Sequence, residues 1–282
     1  MKLCRYGKEG FEKPGMIDAE GKLRDLSKVV TSIGPNEISP RGLKMLAKVK
    51  PETLPVVANQ PRLGVPYVGI GKFIAIGLNY SDHAKEAGMA IPSEPIVFSK
   101  ATSCICGPGD NIIQPKGATR LDWEIELGVV IGTKAQYVAV EKALENVAGY
   151  CVVNDVSERA FQMATSQWDK GKGFDTAGPI GPWLVTTDEI RDPQVLDMWL
   201  DLNGKRMQSG NTRTMVFSAA QIVSHVSQYM TLLPGDIITT GTPPGVGMGI
   251  KPNPVFLKPG DVLTLGIKGL GEQKQKVVAY PG

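Results

Sequence analysis

Short apolar runs closed off by glycine or proline are what most restrict the fold open to this chain. FIAIG, PIVFS, LGVVIG, YCVV, PWLV, DIITTG and DVLTLGI are all of strand length, and turn-forming residues bound them. With 33 glycines and 21 prolines among 282 residues, strands and loops must predominate. Three stretches read as helices: SDHAKEAGMA, VEKALENVAG and SAAQIVSHVSQYMTLL, the last capped by Ser218 and ended by Pro234-Gly235. No regular alternation of single strand and helix marks a doubly wound sheet, so the expectation is an α+β or β-roll core.

The N-terminal part has its own character. Residues 1 to about 50 predict a few strands and a short helix, SPRGLKMLAKV, with Ser39 as N-cap and Leu43, Leu46 and Ala47 on one side. Prolines at 51, 55, 61 and 66 then stiffen the chain, which places a boundary near Val65 to Tyr67. The expectation is a small N-terminal α+β domain over 1–66 and a larger domain over 67–282.

Composition removes several classes of function. Lys and Arg (31) nearly balance Asp and Glu (28), and the basic residues are scattered, so no nucleic-acid partner is expected. No apolar stretch approaches the ~18 residues of a membrane span, and the first fifteen residues lack the apolar core of a signal peptide. Neither membrane association nor secretion is expected. Four cysteines without CxxC spacing give little support to a disulfide framework or a thiolate zinc site, and a reducing cytoplasm fits best. The only two histidines, His83 and His225, exclude His-rich metal sites and leave few candidates for a general base.

The segment DWEIELG leads into VVIG and reads as a strand in which Trp123, Ile125 and Leu127 share one face while Glu124 and Glu126 share the other. Two like charges ~6 to 7 Å apart repel by roughly 2 to 3 kcal/mol at an effective dielectric near 20. Water on a solvated face relieves that, and so does a cation. The strand AGYCVVNDVSER then ends in Asn154-Asp155, adding a third carboxylate at a strand exit. Three carboxylates without a histidine set would suit a hard cation, Mg²⁺ or Mn²⁺, and a solvated strand face remains the competing reading. In NYSDHAKEAG, Glu86 is three residues beyond His83 and on the same helical face, the arrangement that orients an imidazole and raises its basicity. His225, among apolar neighbours in IVSHVSQ, is read as a structural helix residue. Two glycine-rich segments could hold an anion: DKGKGFD through Lys170 and Lys172, and TTGTPPGVGMG through its N–H groups, Thr240 and Thr242. Neither is a Walker loop or a GxGxxG turn, and no GxSxG elbow is present.

Taken together and in order, IGLNYSDHAKEAG, PIVFSKATSCICGPGD, DWEIELGVVIG, GYCVVNDVSERAFQ, DKGKGFDTAGPIGPW, GNTRTMVFSAAQIVSHVSQYMTLLPGDIITTGTPPGVG and LKPGDVL resemble the fumarylacetoacetate hydrolase family from about Tyr67 to the C-terminus. The resemblance implies the family's mixed β-roll and a cytoplasmic homodimer. It implies a metal-dependent hydrolase that cleaves a C–C bond in acylpyruvate or 2,4-diketo acid substrates, by water attack with the enolate stabilised on the metal. Glu124, Glu126 and Asp155 match the family's metal ligands, with Mg²⁺ expected and Mn²⁺ or Ca²⁺ as alternatives. His83 and Glu86 match the pair that handles water, and Lys172 the active-site lysine. Arg159 and Gln162 match substrate-facing positions, and Gly241 and Thr242 the loop that meets the substrate carboxylate; Lys100 lies in a matching segment. Residues up to Pro66 resemble the small appended domain of longer bacterial members. The family also implies alternatives: a lyase, decarboxylase or isomerase on a related 2-oxo acid of the oxaloacetate, ureidoglycolate or hydroxyheptadienedioate type, or an inactive metal-binding scaffold.

Overall fold

The computed structural model describes residues 1–282, the Ala87 side chain excepted. A ten-stranded mixed sheet forms the body. Its main path runs Leu23–Asp25, Lys13–Ile17, Lys2–Tyr6, Gly178–Thr186, Val147–Asn154, Ile125–Ile131, Ile237–Thr239, Phe73–Gly77, Ile96–Lys100. Most pairs are antiparallel, but Ile237–Thr239 runs parallel to Phe73–Gly77. A five-stranded sheet built on Lys205–Asn211, Asp197–Leu202, Val262–Ile267 and Gly271–Val278 packs beside it, and helices are few and short. The α+β class and mixed-sheet architecture expected from the punctuated apolar runs are present.

The central strands are covered on both faces. All seven residues of Ile125–Ile131 and all eight of Val147–Asn154 are buried, so the near-continuous apolar reading LGVVI reflects a two-sided core rather than one wet face. The strand expected from Asp122 onward is interrupted. Asp122 Oδ1 accepts the N–H of Trp123 at 2.9 Å and Asn154 Oδ1 accepts that of Glu124 at 3.2 Å, so regular pairing starts at Ile125.

The segment before Pro66 is joined to the rest through the sheet itself. Lys2 and Leu3 pair with Val185 and Leu184, and Leu3, Met16, Leu26 and Leu46 enter the same apolar cluster as Tyr67, Phe73 and Ile125. The proline-rich stretch at 51–66 therefore runs over a shared core. Helix Pro40–Leu46 has Ser39 as its N-cap, with Ser39 Oγ accepting the Gly42 N–H; Leu46 is buried but Ala47 is exposed.

Helix Ala219–Tyr229 carries the expected Ser218 cap, reinforced by Gln221 in a capping box. It stops at Tyr229, short of Pro234-Gly235. Leu232 exchanges both backbone hydrogen bonds with Ala135, and that pairing requires the extended backbone already adopted at Met230. VEKALENVAG supplies only one helical turn, Val140–Ala143, and a 3₁₀ turn before entering the strand. Among the described residues, no helix is long and apolar enough to cross a membrane.

Candidate active site

Strand pairing brings the acids together. Val153 lies opposite Glu126 and Asn154 opposite Ile125, and the Asp155 N–H donates to the Glu124 carbonyl at 2.8 Å. Glu124, Glu126 and Asp155 thereby converge, each offering an oxygen within 4.8 Å of the others. All three are buried, at 6%, 2% and 1% exposure, which rules out the solvated strand face.

Burial of that much negative charge demands compensation. Lys172 Nζ donates to Glu124 Oε2 and Asp155 Oδ2, both at 2.7 Å. Arg159 donates to Glu124 Oε1 at 2.6 Å, to Asp122 Oδ2 at 2.8 Å and to Gln162 Oε1 at 3.0 Å. Glu126 Oε2 accepts the Thr239 hydroxyl at 2.6 Å and the Gly241 N–H at 2.7 Å. Gly241 has φ +90°, and a Cβ there would stand 2.9 Å from that of Asn79, so glycine is what lets this N–H reach the carboxylate.

The protonation balance is uneven. Burial raises the Glu124 carboxyl, but the charges of Arg159 and Lys172 outweigh it and hold the group below the usual carboxylate range. Burial, followed by the charges of Asp155 and Glu124, pushes Glu126 well above that range. For Lys172, burial favours the neutral amine, while Asp155 and Glu124 more than restore the ammonium. Asp155 Oδ1 is buried without a hydrogen-bond donor. Its near neighbour is Lys100 Nζ, an ion-pair contact at 2.6 Å, and the same ammonium donates to the Lys172 carbonyl. Three convergent carboxylate oxygens, one of them on a carboxyl crowded by the other two, fit a hard divalent cation, which would keep Glu126 ionised. Glu124, Glu126 and Asp155 are the residues that would hold it.

A cavity of about 280 Å³ opens on this cluster, lined by all ten residues that the family resemblance matched to metal-binding, catalytic or substrate-facing positions, Lys100 lying outside it. His83 and Glu86 enter on helix Ser81–Ala87, with His83 Nδ1 3.2 Å from Glu86 Oε2. The Gly245 N–H steadies Glu86 at 3.1 Å. Gly245 has φ +103°, and a Cβ there would fall 2.0 Å from the Met207 carbonyl. Nδ1 is the ring nitrogen that faces the carboxylate, which leaves Nε2 as the nitrogen available to act as a general base.

Of the two anion-binding candidates in DKGKGFD, Lys172 turns into the cluster and Lys170 is exposed. In the other segment the Gly241 N–H donates to Glu126, although Gly241 itself lines the cavity. The Thr240 and Thr242 hydroxyls donate to the Leu127 and Ile125 carbonyls, although Thr242 still lines the cavity. His225 meets Tyr229 edge-on at 5.0 Å, consistent with a structural role.

Asp122, Thr239 and Lys100 matter more than sequence reasoning suggested. Asp122 is fully buried and accepts from Arg159, Trp123, Gly247 and Met248, tying Arg159 to the loop beside Glu86. Asp122→Ala is expected to destabilise the protein by about 3 kcal/mol, because it removes one of the two carboxylates paired with the buried Arg159 and leaves the buried Trp123 and Gly247 N–H groups without an acceptor. Denaturant unfolding checks this, and a loss below about 1 kcal/mol would show that the ion pair is dispensable.

Residues 72–278 match the family model described as fumarylacetoacetate (FAA) hydrolase C-terminal. The chain is 61% identical over 277 residues to a provisionally named hydrolase of Burkholderia cenocepacia, covering 98% of each chain. Among solved structures it is similar to a fumarylacetoacetate hydrolase from Exiguobacterium antarcticum, at 37% identity and TM-score 0.90, covering 99% of this chain and 100% of that one. A provisionally named 2-hydroxyhepta-2,4-diene-1,7-dioate isomerase from Mycobacterium abscessus aligns over 100% of both chains at 32% identity and TM-score 0.84.

Proposed function

The chain belongs to the fumarylacetoacetate hydrolase family, and from that premise we propose that it is a metal-dependent hydrolase cleaving the C3–C4 bond of acylpyruvates or related 2,4-diketo acids. The observation that carries this reading is the opening of one cavity onto both a buried carboxylate triad and an oriented imidazole. Binding alone needs no base.

Glu124, Glu126 and Asp155 would hold a divalent cation, with Mg²⁺ the expected ion and Mn²⁺ or Ca²⁺ the alternatives, and when bound it would supply Lewis acidity for the charge that develops on a 2-oxo acid. His83 Nε2 takes a proton from water as the oxygen adds to the C4 carbonyl, and Glu86 stabilises the imidazolium that forms. The C3–C4 bond then breaks, its electron pair passes to the pyruvate fragment, and a proton at C3 completes pyruvate beside the released carboxylic acid. Lys172 and Arg159 fix the carboxylate oxygens of Glu124 and Asp155, so the triad keeps its shape as charge moves. The reading includes a small 2-oxo acid as the partner and a cytoplasmic homodimer as the assembly, both supported by the family likeness.

The isomerase named among the structural relatives keeps a second outcome in view. Incubation of the Mg²⁺-loaded protein with acetylpyruvate and longer acylpyruvates, oxaloacetate and an unsaturated dioate distinguishes them. We expect equimolar pyruvate and carboxylic acid from the acylpyruvates. CO₂ from oxaloacetate, or an isomer of the dioate, with no acid released from any acylpyruvate, would replace hydrolase by decarboxylase or isomerase.

A further inference from the structure

The cavity has an outer half that the carboxylate cluster does not occupy. Phe98 stands between the two halves: Lys172 Nζ lies 5.3 Å from its ring centroid, and the same ring meets Trp168 edge-on at 5.2 Å. Trp168 is half-buried and seated against Gly77, where a Cβ would come within 2.8 Å of the indole. Met89, Met163 and Met248 line the same cavity from three separate segments, yet are 53%, 66% and 40% exposed. Apolar surface gathered from three segments around one opening is surface that a ligand can remove from water. Unbranched thioethers adapt their shape to whatever enters.

Charge in the cavity is already committed on its inner side. Arg159 serves Asp122 and Glu124, and Lys172 serves Glu124 and Asp155. Among the described residues, the other cation on the lining is Lys251, which is exposed to solvent.

The geometry points to a 2-oxo acid whose tail is an uncharged hydrocarbon, aryl or medium-length alkyl, packed on Phe98, Trp168 and the three methionines. This rests on the reading of the inner half as the 2-oxo acid site. A tail ending in a carboxylate would exchange its hydration for thioether and aromatic contacts, with only a solvated lysine to offset the loss. Trp168 is the side chain that sets tail preference.

Calorimetric binding of 2-oxo acids that lack a cleavable acyl group tests this in the Mg²⁺-loaded protein. The series is pyruvate, 2-oxohexanoate, 2-oxo-4-phenylbutanoate and 2-oxoadipate. The alkyl and phenyl acids are expected to bind at least about tenfold more tightly than pyruvate, as burial of that much hydrocarbon implies, and 2-oxoadipate no more tightly. Trp168→Ala should weaken the phenyl acid by at least about fivefold more than it weakens pyruvate, Trp168→Phe should retain most of the preference, and Lys251→Ala should leave the series unchanged. Equal affinities across the series, equal losses for pyruvate and the phenyl acid in Trp168→Ala, or a 2-oxoadipate preference removed by Lys251→Ala would overturn the inference while leaving the 2-oxo acid site standing. Failure of every member to bind would overturn both.

Discussion

Exhaustive removal of divalent cations is expected to lower acylpyruvate turnover by at least about three orders of magnitude, and added Mg²⁺ or Mn²⁺ to restore it. The size of the effect follows from the charges the fold has buried. Asp122, Glu124, Glu126 and Asp155 face Lys100, Lys172 and Arg159. With Glu126 pushed toward its neutral form, the three other carboxylates are balanced by the three cations, and the metal-free site offers a 2-oxo acid no net attraction. A divalent ion would keep Glu126 ionised and leave the site one positive charge, and two opposite charges 4 Å apart attract by about 4 kcal/mol at an effective dielectric near 20. Asp155→Ala should reproduce the chelated state and resist rescue by added cation, because it removes one ligand oxygen and leaves Lys172 and Lys100 without a shared partner. Full turnover in protein shown by elemental analysis to be metal-free would contradict the scheme, as would an active Asp155→Ala variant.

How much of this site was legible in the chain depended on how far apart the partners are. The His83 and Glu86 pair is three residues apart on one helix, and helical geometry alone brings the two side chains together. The three carboxylates were visible as residue types at strand positions, but their convergence depends on the register that sets Val153 opposite Glu126. Thr239 reaches Glu126 across 113 positions, and Arg159 reaches Asp122 across 37. No local pattern encodes either contact. Asp122 stood in the same heptapeptide as the two glutamates and still escaped notice, because its value lies in three donors contributed from outside it, Arg159, Gly247 and Met248. The alternation rule sorted Trp123 and Glu124 onto opposite faces and could not decide whether the second was wet; both are buried, because the sheet is covered on both sides. Propensity likewise extended the last helix to Pro234-Gly235, and the backbone pairing of Leu232 with Ala135 ended it earlier.

His83→Ala is expected to lower turnover by about 10² to 10⁴ while leaving cation affinity within about twofold of the native protein. The separation of the two readouts follows from where His83 stands. Its ring is held by Glu86, and Glu86 by the Gly245 N–H, whereas the triad is held by Lys172, Arg159, Thr239 and Gly241. The two sets share the cavity and have no side chain in common among those contacts, so loss of the base should not loosen the ligands. Glu86→Gln is the sharper companion. Its amide oxygen can still accept from Gly245 and from a ring Nδ1–H, but it carries no charge to stabilise the imidazolium. A smaller loss than in His83→Ala is therefore expected, confined to turnover and not to substrate binding. If His83→Ala instead reduced cation affinity and turnover in parallel, His83 would belong to the ion's own coordination sphere, and the proton from water would have to be taken by another group in the cavity.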